Sequence, residues 1–149
     1  SNKYGMGTSV ARAASGGGLY KRGEGFGIPG KQVDGMDVVA VMNEGIEAAA
    51  YARENGPVIL EMETYRYRGH SMSDPAKYRS REEVSKMREE HDPIEGLKAR
   101  ALAAGLLSEE GMKAIDQDVR AVVAEAAEFA QQSPEPDPAE LYTDILLAS

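Results

Sequence analysis

The chain has 149 residues, enough for one domain, and a formal net charge of −8. Its acidic balance gives no general attraction for nucleic acid or anionic lipid, and no apolar run approaches the ~20 residues that span a bilayer, so we expect neither partner. The absence of cysteine excludes disulfides and cysteine-ligated metals, and two histidines are too few for a multi-histidine metal site.

Glycine and charge divide the chain into two halves. Of the 16 glycines, 13 lie at or before Gly69, and residues 1–77 carry nine basic and nine acidic side chains. Residues 78–149 carry eight basic and sixteen acidic side chains, so this half holds the whole net charge. The pattern predicts loops around short elements, followed by a charged helical region.

The first half contains the pattern of a βαβ unit. The glycine-rich stretch 5–30 has no helical or strand period and is predicted to be a long loop. A short strand is predicted over 31–34, and then a helix that Asp37 caps and that runs over 38–53. A near-continuous apolar run predicts a strand over 58–66 that is covered on both faces. Strand, helix and strand in this order predict a parallel sheet.

Capped helices are predicted from Ser80 onwards. Ser80 begins a capping box, Asp92 with its following proline begins a second helix, and Ser108 begins a third. A last short helix is predicted from Asp137 through Leu146. The third helix has apolar residues spaced alternately three and four apart, which predicts a seam that faces a core; they are Met112, Ile115, Val119, Val122, Ala126 and Phe129.

These elements predict an α/β fold. Residues 1–80 hold a partial parallel sheet with flanking helices, and residues 81–149 form a helical C-terminal region that packs on it.

His70 is the strongest candidate for chemistry. It lies in the loop 67–78 directly after the predicted buried strand, where parallel sheets place their ligand-binding loops. A neutral imidazole can exchange a proton near pH 7 and can bind a phosphate or an oxyanion. A loop histidine can equally cap a backbone group, and position alone leaves both interpretations open.

Two serines, Ser71 and Ser73, follow His70. No nucleophile elbow surrounds them, so a Ser-His-Asp triad is not supported. As hydroxyls near several arginines, they are weak candidates for phosphorylation. Neither the Walker pattern nor a strand-borne GxGxxG occurs in the chain.

Two segments resemble the thiamin-diphosphate-dependent 2-oxoacid dehydrogenases: NKYGMGTS at 2–9 and YRYRGHSMSDP at 65–75. Shorter matches, YKRG at 20–23, IPG at 28–30 and VDGMD at 33–37, occur in the same order. The resemblance extends over nearly the whole chain and is strongest through about residue 90. Within the family the chain is most similar to the α subunits of pyruvate dehydrogenases, since the HSMSDP run differs from the loop of the branched-chain relatives.

The resemblance implies that thiamin diphosphate binds through Mg²⁺. Asn2 matches a side-chain ligand of the metal and Tyr4 matches a main-chain carbonyl ligand, so both are implied cofactor-binding residues. His70 matches a histidine on the diphosphate side of the cofactor that assists catalysis. Ser71 matches a serine that a dedicated kinase phosphorylates in mitochondrial relatives. Residues 1–80 would then be the C-terminal portion of the cofactor-binding domain.

The implied activity is oxidative decarboxylation of pyruvate with transfer of the acetyl unit to a lipoyl group. The implied partners are a β subunit, in an α₂β₂ heterotetramer, and a lipoyl-bearing acyltransferase. The loop between Asp74 and Tyr78 is one residue shorter than in mitochondrial relatives, which favours a bacterial, cytoplasmic enzyme over one of the mitochondrial matrix. A branched-chain 2-oxoacid or acetoin dehydrogenase is the alternative.

The Gly-Asp-Gly half of the family's metal motif does not occur in this sequence. We therefore expect the C-terminal part of an α subunit, with an incomplete cofactor site and no activity of its own. The alternative function for such a chain is a scaffold for subunit interaction.

Overall fold

The computed structural model describes residues 1–145. These residues belong to two compact units, Ser1–Ala104 and a second that begins at Gly105. The predicted boundary at residue 80 stays a prediction. Leu146, the predicted end of the last helix, lies outside the described residues; a 3₁₀ helix over Pro138–Tyr142 occupies the start of that segment.

The glycine-rich stretch, predicted to be a loop, contains short regular elements. Strands β1 (Tyr4–Gly5) and β2 (Thr8–Ser9) form an antiparallel hairpin, followed by the short helix α1 (Val10–Ala13). A 3₁₀ helix spans Leu19–Phe26. Sequence periodicity missed these elements because each is too short, or too rich in glycine, to establish a hydrophobic period.

The predicted βαβ unit is confirmed. Strands β3 (Gly30–Asp34) and β4 (Ile59–Glu63) pair in parallel, from Gly30 opposite Ile59 to Asp34 opposite Glu63, and α2 (Val38–Asn55) connects them. Asp37 caps α2 as predicted, because its carboxylate accepts the N–H groups of Val39 and Ala40 at 2.9 and 3.1 Å.

The two-stranded sheet packs against the 3₁₀ helix Leu19–Phe26 at very short range. A methyl group on Gly30 would clash with the carbonyl oxygen of Tyr20, and one on Gly23 would lie 2.5 Å from the carbonyl oxygen of Ile28. These two glycines therefore permit a backbone approach that no other residue allows.

The core is smaller than the length of the chain suggests. Val33 on β3, with 5% of its surface exposed, is the only buried hydrophobic side chain among residues 1–145. The residues of β4, predicted to be covered on both faces, are half-buried except for Glu61. One helix and a short 3₁₀ segment cover too little of a two-stranded sheet to bury both of its faces.

The three predicted capped helices are confirmed as α3 (Arg81–His91), α4 (Pro93–Ala103) and α5 (Glu109–Gln132). The Ser80 hydroxyl accepts the Glu83 N–H at 3.0 Å, and the Ser108 hydroxyl accepts the Gly111 N–H at 3.1 Å. Asp92 caps α4 with one carboxylate oxygen and accepts the Tyr67 hydroxyl at 3.0 Å with the other.

The prediction that the apolar stripe of α5 faces a core is wrong. Ile115 is 53% exposed, Val122 64% and Phe129 73%. The periodicity identifies the apolar face correctly, but the second unit provides no other α-helix or strand, within the residues that the structure describes, against which that face could be buried. No helix over residues 1–145 is long and apolar enough to cross a membrane.

Candidate functional site

Asn2 and Tyr4 lie together in a turn at the edge of an open cleft. The Asn2 Oδ1 atom accepts the Tyr4 main-chain N–H at 3.0 Å, which holds the amide oxygen beside the backbone of Tyr4. The residue between them, Lys3, has a left-handed φ of 63°. The cleft has a volume of about 690 Å³, and residues of β3, β4 and α3 line it together with Gly17 and Gly18.

The cleft is rich in carboxylates. Asp34, Glu61, Glu63 and Glu83 all contribute to its walls. Of these four, only Glu63 forms an ion pair within residues 1–145, with Lys3 at 2.6 Å. Glu83 accepts the Tyr65 hydroxyl at 2.8 Å. Burial and this hydrogen bond both raise the pKa of Tyr65, so its phenol stays protonated and remains a donor.

The loop after β4 is organised around the carboxylate of Asp74. One oxygen accepts the His70 main-chain N–H and the Tyr78 hydroxyl, both at 2.7 Å, and the other accepts the Ala76 N–H at 2.8 Å. The bond from the His70 N–H, together with those from Tyr78 and Ala76, lowers the pKa of Asp74 to about 2. A methyl group on Gly69 would lie 2.5 Å from the Asp74 carbonyl oxygen, so the loop closes tightly on itself.

The turn and the loop, more than 60 residues apart in sequence, are in contact. Arg66 donates to the Met6 carbonyl oxygen at 2.7 Å and to the Tyr78 hydroxyl at 2.8 Å. The rings of Tyr4 and Tyr78 lie 4.9 Å apart. The structure therefore brings the residues predicted as metal ligands and the loop that carries His70 into one assembly.

Arg79 contacts both the backbone of the loop and the tyrosine rings of this assembly. Its guanidinium donates to the carbonyl oxygens of Arg66 and Arg68, and it lies 5.0–5.3 Å from the rings of Tyr4, Tyr65 and Tyr78. Cation–π contacts of this kind stabilise a partly desolvated cation. Arg66 and Arg79 thus both donate hydrogen bonds to backbone carbonyl oxygens.

His70 and Ser71 lie on the surface of the loop and do not line the cleft. The main-chain N–H of His70 donates to the Asp74 carboxylate. The imidazole is exposed and forms no hydrogen bond with any of residues 1–145. Because the His70 ring caps no backbone group among the described residues, the structure does not support the capping interpretation. The Ser71 hydroxyl is exposed and lies 3.0 Å from the Ser73 hydroxyl.

The donor set of the Asn2–Tyr4 turn suits Mg²⁺ as part of a site. A side-chain amide oxygen and a main-chain carbonyl oxygen are hard ligands of the kind that Mg²⁺ accepts, although this ion usually also needs a carboxylate. Among the described residues, no group of three or more histidine, aspartate or glutamate side chains is arranged to hold a metal ion.

Sequence reasoning missed the residues that join the two predicted motifs. Arg66, Tyr78 and Arg79 link the turn to the loop, and Glu61 is buried on β4. The YRYR run at 65–68 carried a partial signal, because alternation along an extended chain sends the two tyrosines and the two arginines to different sides.

Asp74→Asn is expected to loosen the loop while leaving the fold intact. The carboxylate has two accepting oxygens and serves three donors, whereas an asparagine has one accepting oxygen and an NH₂ group that would face a donor. Hydrogen exchange should accelerate at the His70 and Ala76 amides and stay unchanged at Val33. Unchanged protection at both loop amides would contradict this arrangement. Asp137→Asn, in the second unit, is the matched control, because among residues 1–145 a single N–H, that of Ala139, donates to its carboxylate.

The same loop should open in acid. The pKa of Asp74 is lowered from 3.8 to about 2 in the folded chain, so its stabilising contribution is complete above about pH 4 and disappears as the pH falls through about 2. A carboxyl resonance of Asp74 that titrates near pH 4 would show that its three hydrogen bonds do not persist in solution.

The fold and the site define an α/β protein whose polar residues gather beyond the carboxyl end of a parallel strand. Residues 1–139 match the profile of the family described as "Dehydrogenase E1 component", and the chain belongs to this family.

Several curated relatives are similar over almost the whole chain. It is 61% identical over 147 residues to the pyruvate dehydrogenase E1 component subunit alpha of Rhizobium meliloti (strain 1021), which is 98% of this chain and 42% of that protein. It is 54% identical over 147 residues to the protein of the same name from Zymomonas mobilis, which is 98% of this chain and 41% of that protein. It is 50% identical over 145 residues to the mitochondrial protein of Solanum tuberosum, which is 97% of this chain and 37% of that protein. The chain thus spans about two fifths of the length of the relatives that it matches.

Proposed function

We propose that this chain is the part of a pyruvate dehydrogenase α subunit that holds Mg²⁺ and the diphosphate of thiamin diphosphate. The observation that carries the proposal is the contact between the Asn2–Tyr4 turn and the His70 loop through Arg66 and Tyr78. Membership of the dehydrogenase family and the names of the relatives support it. On this proposal, residues 1–80 complete the cofactor-binding domain and residues 81–149 form the helical C-terminal region.

Each named residue has a defined task in this proposal. Thiamin diphosphate, when bound, supplies the nucleophilic carbon and the electron sink that decarboxylation of a 2-oxoacid requires. Asn2 Oδ1 and the Tyr4 main-chain oxygen would hold Mg²⁺ as hard ligands. The imidazole of His70 would hold or deliver a proton on the diphosphate side, and the Asp74 bond to its backbone would keep the ring in place.

The partners and the compartment follow from the same proposal. The chain would act in an α₂β₂ heterotetramer with a β subunit and pass an acetyl unit to a lipoyl-bearing acyltransferase. The relatives from Rhizobium meliloti and Zymomonas mobilis are bacterial, which supports a cytoplasmic location. Ser71 has an accessible hydroxyl, as a phosphorylation site requires.

The substrate is tested on the complete α subunit assembled with its β subunit. Turnover is measured with pyruvate, with branched-chain 2-oxoacids and with acetoin, each with and without Mg²⁺ and thiamin diphosphate. We expect kcat/KM for pyruvate to exceed the others by at least roughly tenfold, because the branched-chain 2-oxoacids carry extra methyl and methylene groups and acetoin lacks the carboxylate. A higher kcat/KM for another substrate would assign the chain to a sister enzyme.

A second candidate function, a scaffold for subunit interaction, is favoured by the exposed face of α5. From Gly105 onwards the sequence has ten acidic and two basic residues, so the net charge of −8 belongs entirely to this part. Acidic residues flank the apolar stripe on both sides, Asp116 on one and Asp118 and Glu125 on the other. A second acidic copy is a poor partner for this surface, whereas an apolar groove on the β subunit with basic residues at its rim would complement it.

Val122→Glu is expected to weaken assembly of the α and β subunits by at least about tenfold, because it would bury an unpaired carboxylate in the contact. Ala124→Glu is the matched control: it adds the same charge on α5, but two residues further on and therefore about 200° around the helix. Sedimentation at several protein concentrations measures the effect. Equal assembly of the two variants would reject this face as the contact.

A further inference from the structure

Glu61 is the only charged side chain that is buried among residues 1–145, with 9% of its surface exposed. It lies in the middle of β4, opposite Gln32 of β3, and forms no ion pair with any residue of the described chain. A buried carboxylate without a cation is unfavourable unless it accepts hydrogen bonds, so its position needs a reason.

The carboxylate of Glu61, on β4, caps the 3₁₀ helix Leu19–Phe26. Its Oε2 atom accepts the main-chain N–H of Tyr20 at 3.1 Å, across 41 residues of sequence. Tyr20 is the second residue of the 3₁₀ helix Leu19–Phe26, whose N-cap residue, Gly18, has no side chain that could accept a hydrogen bond. The first N–H groups of a helix have no partner within the helix, and a carboxylate is favoured there.

The backbone at Gly18 lies close to both partners of this contact. A methyl group there would clash with the Tyr20 ring and would lie 3.1 Å from Glu61 Oε2. The two preceding glycines, Gly16 and Gly17, have left-handed φ values of 89° and 83°. The chain therefore enters the helix through left-handed backbone that favours glycine, and the Glu61 contact lies where this triplet ends.

We propose that Glu61 is a positioning residue for the cleft that holds the Asn2–Tyr4 turn. Gly17, Gly18 and Leu19 line this cleft together with Asn2 and Tyr4. By capping the helix that follows the triplet, Glu61 fixes this wall and sets how the cleft accepts a metal-bound diphosphate. The inference rests on the proposed function for the nature of the ligand, whereas the cap itself does not depend on it.

The test compares Glu61→Gln with Glu61→Leu in the assembled enzyme. Glutamine keeps an oxygen that can accept the Tyr20 N–H, whereas leucine removes it. Three quantities are measured: hydrogen exchange at the Tyr20 amide, the dissociation constant of Mg²⁺–thiamin diphosphate by calorimetry, and kcat at saturating cofactor.

For Glu61→Leu we expect exchange at Tyr20 and the dissociation constant both to rise by at least about tenfold, with kcat within about twofold of the wild type. Glu61→Gln should restore both. Glu47→Leu, which removes an exposed carboxylate on α2, should change neither quantity. Gly18→Ala should disturb the same hydrogen bond from the Tyr20 side, so its effects on exchange and on the dissociation constant should match those of Glu61→Leu. The double variant should show little further effect, because both substitutions break one contact. If leucine prevents assembly, Gly18→Ala provides the same measurement.

Unchanged exchange at Tyr20 in both Glu61→Leu and Gly18→Ala would overturn the cap. Faster exchange with an unchanged dissociation constant would overturn the positioning role and leave Glu61 a structural residue. Wild-type enzyme that binds Mg²⁺–thiamin diphosphate but does not turn over pyruvate would reject the proposed reaction alone, since the calorimetric comparison still tests Glu61.

Discussion

His70→Ala in the assembled enzyme is expected to lower turnover by ~10²–10⁴-fold, the usual contribution of one general acid or base. The free energy of unfolding should fall by no more than about 0.5 kcal/mol, because the substitution is on an exposed loop. The loop should keep its shape, since the Asp74 carboxylate binds the main-chain N–H of residue 70 and not its ring. Steady-state kinetics at saturating Mg²⁺ and thiamin diphosphate measures the first effect, and thermal unfolding measures the second.

His91→Ala is the control, because it removes the other histidine of the chain, an exposed side chain at the end of α3. It should leave turnover unchanged. Near-wild-type turnover of His70→Ala would remove His70 from catalysis and assign the proton transfers to the cofactor and the β subunit. A large loss of stability would instead mean that the ring supports the loop.

Ser71→Glu distinguishes the effect of an added negative charge on the loop from the effect of removing the His70 imidazole. The added carboxylate, close to the Asp74 carboxylate network, would disorder the loop by repulsion and oppose an anionic diphosphate. Its effect should therefore appear in the apparent affinity for the cofactor, whereas the effect of His70→Ala should persist at saturation. Equal effects on kcat alone would show that the two residues act in one step.

Local sequence signals were sufficient for the βαβ unit and the capped helices. Asp37, Ser80, Asp92 and Ser108 each cap a helix through contacts within three residues, and such contacts can be predicted from spacing alone. The strand around Val33 was likewise defined by its neighbours in sequence. The family resemblance placed Asn2 and Tyr4 at one site with His70, although no local pattern relates them.

The contacts that join the site could not be predicted, because they connect residues far apart in sequence. The bond from Arg66 to Met6 spans 60 residues and that from Tyr20 to Glu61 spans 41, and no periodicity encodes such a pair. The apolar stripe of α5 shows the opposite case. Its period identified the correct face, but a period contains no information about what covers that face.

The 149-residue chain alone is expected to bind Mg²⁺–thiamin diphosphate only weakly. Asn2 and Tyr4 provide two neutral oxygens, which compete poorly with water for Mg²⁺ in the absence of a carboxylate ligand. The carboxylates of Glu83 and Glu63 do not replace it, because Glu83 is engaged by Tyr65 and Glu63 by Lys3. Calorimetry at roughly 100 μM cofactor should therefore detect no saturable binding, since a dissociation constant in the millimolar range corresponds to only about 4 kcal/mol.

Asn2→Ala makes this measurement specific. In the isolated chain it should leave the calorimetric trace unchanged, because there is no formed metal site to lose. In the assembled enzyme the same substitution should weaken cofactor binding by at least about tenfold, as removal of one ligand or of its support does elsewhere. A micromolar dissociation constant for the isolated chain that Asn2→Ala abolishes would show that the cleft forms a complete site from these residues, with one of its own carboxylates as the anionic ligand.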